Sequence, residues 1–135
     1  MRVILEGCDL VGKSTAVKLL KEIIPMEDRL KEFTESLEPH GIDYARLQNA
    51  VDSVEGALII ILFIRDDNIL QRRLSLRENP DQYDVKCVDY NRQYRKAASF
   101  LNDRANVVSI EVDGLNKFQK TARIVEEFLR YMDKQ

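Results

Sequence analysis

Apolar and polar positions alternate between two kinds of stretch along this chain. Residues 2–6, with Val3-Ile4-Leu5 at their centre, and 58–64 are short apolar runs, and residues 107–112 read as the last strand. Continuous apolar runs of this length read as strands covered on both faces. Between them the apolar residues recur at three- and four-residue steps. Residues 14–24 place Val17, Leu20, Ile23 and Ile24 on one helical face, with Pro25 as the stop. Residues 28–38 repeat the pattern with Leu30, Phe33 and Leu37, and Pro39-His40-Gly41 breaks it. Residues 43–54 read as a helix through Tyr44, Leu47, Val51 and Val54.

After the central apolar run, Asp66 or Asp67 caps a helix over 68–78. A polar loop covers 79–84 and a long helix 85–103. Asp113-Gly114 turns the chain into a last amphipathic helix over 116–132, with Ile124, Val125, Phe128 and Leu129 inside. Three strands are clear, and a fourth near 23–26 is compatible with the pattern although Pro25 weakens it. Strands alternating with helices predict an α/β fold of three α/β/α layers around a small parallel sheet. Its ligand-binding loops are expected at the C-terminal ends of the strands.

The stretch Gly7-Cys8-Asp9-Leu10-Val11-Gly12-Lys13-Ser14-Thr15 reads G-x-x-x-x-G-K-S-T, the phosphate-binding P-loop. It follows a strand and opens a helix, the context the motif requires. Gly7 and Gly12 let the backbone turn and approach oxygen atoms closely. The loop N–H groups, Val11 among them, then form an anion nest that the helix dipole reinforces. Lys13 is expected on the β- and γ-phosphates of ATP, and the Ser14 hydroxyl on Mg²⁺. The plain alternative is a glycine-containing strand–helix turn that binds nothing.

Composition narrows the setting. The 135 residues suit one domain, with 44% hydrophobic and 33% charged residues. A formal net charge of -2 gives no general polyanion surface, so no nucleic-acid partner is expected. The longest apolar run is too short to span a bilayer, no charged leader with an apolar core is visible, and no membrane partner is expected. The two cysteines, Cys8 and Cys87, lack metal-ligand spacing and read as reduced thiols of a cytoplasmic protein.

Other branches of P-loop protein are excluded on residues. A regulatory GTPase needs Asn-Lys-x-Asp, whereas Asn116-Lys117-Phe118-Gln119 lacks the acid. What remains resembles the thymidylate kinases and related deoxynucleoside and deoxynucleotide kinases. Residues 6–15 are similar to that family's E-G-x-D-x-x-G-K-S-T loop, and Asp28-Arg29 to its D-R dipeptide. Residues 58–77 are similar to its apolar strand, acidic turn and arginine helix ending R-x-x-x-R, here Arg73 and Arg77. Residues 107–114 are similar to its last strand and D-G turn.

The resemblance implies transfer of a phosphoryl group from Mg·ATP to a nucleoside monophosphate, most simply a deoxynucleotide such as dTMP. It implies catalytic roles for Lys13, Arg73 and Arg77, the arginines lying in a lid over about residues 72–84; four positions apart, Arg73 and Arg77 are expected to share one helix face. It puts the donor on Gly7, Asp9, Val11, Gly12, Lys13, Ser14 and Thr15. Asp9, Asp28 and Arg29 would meet the acceptor. A homodimer through exposed helices is a further possibility that the family suggests.

Two departures stand out. Leu10 occupies a position where one branch of the family carries an arginine. The family's second strand, arginine-bearing loop and base-stacking aromatics have no counterpart between residues 24 and 28. A nucleotide-binding protein that has lost transfer activity therefore stays open, as does a kinase for a small metabolite. Structural alternatives also stay open: Asp28 as a helix-start acid, Arg72, Arg73 and Arg77 as a solvated face, and Tyr90 and Tyr94 as packing residues rather than covers for a base.

Overall fold

The computed structural model describes residues 1–135, Asp9 through its backbone only. The chain is an α/β protein with a four-stranded parallel sheet. β1 (Val3–Glu6), β2 (Met26–Glu27), β5 (Leu58–Phe63) and β6 (Val107–Glu111) stand in the order β2-β1-β5-β6. β1 pairs with β5 from Val3 opposite Leu58 to Glu6 opposite Ile61. β5 pairs with β6 from Ile59 opposite Val107 to Phe63 opposite Glu111. All residues of β1 and β5 are buried, which is why β5 and the first three residues of β1 are continuous apolar runs rather than alternations.

The helices form two groups. α1 (Lys13–Leu20) and α7 (Lys117–Asp133) pack on each other and on the sheet. α6 (Cys87–Phe100) packs on β5 and gathers α4 (Asp67–Ser75), α5 (Gln82–Val85) and a small hairpin. α2 (Lys31–Glu35) and α3 (Tyr44–Asp52) pack together beside them. The arrangement is compatible with three α/β/α layers.

The middle of the chain departs from the sequence reading. The helix expected over 28–38 is only α2. Ser36 ends it: its N–H bonds the carbonyls of Glu32 and Phe33, and its hydroxyl donates to Phe33 O at 2.6 Å. Pro39 then biases Glu38 to extended backbone. A two-residue turn through Pro39 and His40 joins β3 (Leu37–Glu38) to β4 (Gly41–Ile42), antiparallel with Leu37 opposite Ile42. The fourth parallel strand exists, but at Met26–Glu27, one residue past Pro25, where a sheet-edge position leaves proline nothing to break.

Two helix ends also shift. α1 stops at Leu20, and Ile23 points to solvent with 74% of its surface exposed. The helix expected over 68–78 stops at Ser75, which puts Arg77 beyond it. Part of the polar loop 79–84 is instead the short helix α5, because Asp81 and Asp84 form a capping box. In α7 the buried residues are Lys120, Ile124, Glu127 and Tyr131, while Leu129 is exposed.

Candidate functional site

Because the four strands are parallel, their C-terminal ends share one edge. That edge collects the 7–15 loop after β1, Asp28-Arg29 after β2, Asp66 after β5 and Asp113 after β6. Asp113 ties two of these ends together by accepting the N–H groups of Arg65 (2.8 Å) and Asp66 (2.9 Å). Asp66 in turn caps α4 by accepting the Asn68 N–H, the role its sequence position suggested.

The loop leaves β1 at Gly7. A Cβ there would lie 2.8 Å from the Leu62 carbonyl oxygen, so only glycine lets the loop pass this close to β5. Residues Asp9–Val11 make one 3-10 turn, closed by Val11 N–H on Cys8 O at 3.2 Å. Gly12 follows with φ 88°, in the left-handed region. α1 begins at Lys13, so its first amides face the loop mouth without helical acceptors. Ser14 and Thr15 lie exposed in that first turn, while Lys13 is buried.

Lys13 Nζ lies 3.6 Å from the Asp28 carboxylate, which brings two of the sequence-chosen residues together. Both line a cavity of about 750 Å³ with Gly7, Arg29, Arg46, Tyr83 and Tyr90. Tyr94 also reaches this wall, although its ring is almost wholly buried. Arg73 reaches the other side of the loop and donates to Leu10 O at 2.7 Å. Arg77 does not meet it there: its guanidinium is 3.9 Å from Asp84, beyond the end of α4. The expectation that Arg73 and Arg77 share a helix face fails for that reason. The expected contacts of Asp9 with donor and acceptor rest on a side chain that lies outside the described residues.

Three residues gained importance only in the fold. Glu6, the last residue of β1, is fully buried beneath the loop. It accepts the Leu30 N–H (2.6 Å), the Thr34 hydroxyl (3.2 Å) and the Tyr94 phenol (3.1 Å). Burial outweighs these donors and the nearby Lys13 charge, and pushes its pKa up to about 7. The same burial, with the Glu6 charge beside it, holds the Tyr94 phenol well above its ordinary value. The sequence signal was a single acid closing an apolar strand. Lys120 is the second: its ammonium reaches Val11 O at 3.0 Å. Its signal was a lysine on the stripe 120–124–127–131, the buried face of α7. Tyr83, in the cavity wall, carried no signal beyond its aromatic type.

A larger cavity, about 900 Å³, lies away from the loop between α6 and β6, lined by Tyr44, Phe63, Arg65, Arg92, Arg95 and their neighbours. Its arginines are occupied by acids: Arg95 and Arg92 on Asp67, Arg65 on Glu111. The smaller cavity adjoins the glycine loop and gathers Lys13, Asp28 and Arg29, although its Arg46 is likewise held by acids, Glu32 and Glu35. Among the described residues no group of three His, Cys, Asp or Glu side chains could hold a metal by itself. No helix is long and apolar enough to cross a membrane.

Comparison of the chain with family models, with curated proteins and with solved structures returns no match.

Proposed function

We propose that this protein transfers the γ-phosphoryl group of Mg·ATP to a nucleoside monophosphate, with a deoxynucleotide such as dTMP as the leading acceptor. The reading rests on the P-loop pattern and on the resemblance to thymidylate kinases. One structural observation carries it. Gly7 and Lys13 of the loop form part of the wall of the 750 Å³ cavity, whose other walls bear Asp28, Arg29, Arg46, Tyr83 and Tyr90. A second anionic ligand with a flat ring would find cations and aromatic surfaces there, within reach of a phosphate held by the loop.

In this reading Lys13 neutralises charge on the β- and γ-phosphates, and Asp28 releases it when the donor arrives. Ser14 supplies a hydroxyl oxygen to Mg²⁺. Hydroxyl and carboxylate oxygens are suitable donors for that hard cation, which keeps most of its ligands on phosphate and water. A monophosphate acceptor is already anionic and requires no general base. Arg77 would have to leave Asp84 to reach the transferring group.

That last pairing favours a second reading, a nucleotide-binding protein that transfers nothing. The two readings separate in one assay. The purified protein is incubated with Mg·ATP and a panel of nucleosides and nucleoside monophosphates, and ADP and diphosphate are followed. Transfer to one deoxynucleotide supports the kinase. ATP binding that depends on Lys13, with no transfer to any acceptor, supports the second reading and removes the first.

A further inference from the structure

Lys120 enters the loop from α7, more than a hundred positions away in sequence. The residue is 93% covered, and its Nζ donates to Val11 O at 3.0 Å. Among the described side chains no carboxylate forms an ion pair with it. Burial first, and then the charge of Arg73, pull its pKa below the usual lysine value. A Cβ on Gly12 would lie 2.4 Å from Nζ and 3.3 Å from Cε, so the lysine fills the space beside Gly12. Arg73 occupies the preceding carbonyl, Leu10 O, at 2.7 Å.

Peptide planarity turns these contacts into a statement about direction. The carbonyl of Val11 and the N–H of Gly12 belong to one trans peptide plane and point opposite ways. Fixing Val11 O on Lys120 therefore fixes the Gly12 N–H away from Lys120. The Leu10 carbonyl and Val11 N–H form the next plane back; Arg73 holds one end and Cys8 O the other. Two cations thus grip consecutive outward carbonyls of the 3-10 turn.

We infer that Lys120 is a positioning residue that aims the Gly12 amide at the donor phosphates, with Arg73 holding the preceding peptide. The ligand class is a nucleoside triphosphate, and this part rests on the function proposed above. A covered cation suits this task. Largely withdrawn from water, it binds the carbonyl strongly and adds positive potential behind the anion nest. Lys120 sits outside the tyrosine-lined cavity, so the acceptor is unaffected.

The test has two readouts, one of which needs no nucleotide. Amide hydrogen exchange of the ligand-free protein is compared for wild type, Lys120→Met and Lys120→Arg. Exchange over residues 10–13 should rise about tenfold or more in Lys120→Met, as for loss of one charge-assisted hydrogen bond, while β1 and β5 keep their protection. Lys120→Arg, which retains a cation, should restore most of it. Calorimetric titration with Mg·ATP should then show affinity falling about tenfold in Lys120→Met and recovering in Lys120→Arg. Unchanged loop exchange in Lys120→Met overturns the inference.

If Lys120→Met loses protection throughout the chain, Lys120→Arg decides: wild-type loop protection supports the cation brace, and a loosened loop with an intact core overturns it. Wild-type protein that fails to bind Mg·ATP removes the proposed function but leaves the exchange result to judge the brace. Raised loop exchange with unaltered Mg·ATP affinity overturns the phosphate-aiming role.

Discussion

The phenol of Tyr94 donates to Oε1 of Glu6 at 3.1 Å, joining α6 to the last residue of β1 directly under the glycine loop. Both groups are buried: Glu6 is fully covered and Tyr94 retains 4% of its surface. The loop therefore stands on a covered acid that changes charge near neutral pH.

This acid makes stability depend on pH in a definite direction. Its pKa rises from 4.5 to about 7 on folding, through burial above all. Between these values the native protein holds more protons than the unfolded chain, so stability falls as pH rises through the window. The full effect, reached above pH 7, is on the order of 3 kcal/mol. Glu6→Gln should remove this decline. Urea unfolding of both proteins at pH 5 and pH 8 checks it: the wild type should lose stability relative to Glu6→Gln across that interval, and parallel behaviour would exclude a covered, titrating Glu6.

Lys13→Met should lower phosphoryl transfer by about 10²–10³-fold, the usual loss for a preorganised group at a developing charge. Folding should be little affected, because its partner Asp28 is exposed and readily solvated. Initial rates with Mg·ATP and the best acceptor, beside a thermal melt, separate the two effects.

Gly12→Ala faces two penalties, a φ of 88° and the ammonium of Lys120 at 2.4 Å from the new Cβ. A loss of about 1–3 kcal/mol follows. Combining it with Lys120→Met should return part of that loss, since the collision goes and the backbone strain stays. Additive losses in a double-mutant cycle would show that the lysine does not occupy this space.

Asn91 supports the end of β5 from α6. Its amide exchanges two bonds with Ile64, accepting the N–H at 3.0 Å and donating to the carbonyl at 2.6 Å. Arg95 also donates to that carbonyl, so the N–H is the group left without a partner if Asn91 is removed. Asn91→Ala should cost about 2–4 kcal/mol through that orphaned donor and the cavity. A Tm lowered by roughly 10 °C is the expected reading. A shift under 2 °C would mean that water replaces the amide.

Arg73 and Arg77 should part company. Arg73→Ala frees Leu10 O and is expected to raise the KM for ATP as well as slow transfer. Arg77→Ala breaks only a long pair with Asp84. It should lower kcat, by roughly 10³-fold if Arg77 clamps the transferring group, without altering loop exchange. Full activity in Arg77→Ala would leave that arginine a structural partner of Asp84.

Much of this architecture was legible in order. β5 and most of β1 could be read because strands covered on both faces are apolar at nearly every position, β6 through Val107, Val108 and Ile110, and Asp66 because capping acts within one turn. The 7–15 loop could be read because its glycines answer to backbone geometry. The segment 28–38 misled because Leu30, Phe33 and Leu37 share helical spacing, while Ser36 and Pro39, which end the helix, act through single bonds that periodicity ignores. Arg73 and Arg77 misled for a similar reason: a four-residue spacing places two side chains together only if the helix continues between them.

By itself the sequence determined the strand–loop–helix unit, the parallel strands and the position of the glycine loop, because covered strands, glycine turns and caps are decided by residues a few positions apart. Only the tertiary structure decided what surrounds that loop. The Glu6–Tyr94 bond spans 88 positions, the Arg73–Leu10 bond 63 and the Lys120–Val11 bond 109. Each partner is chosen by which helix packs on which strand, and no local pattern records that choice.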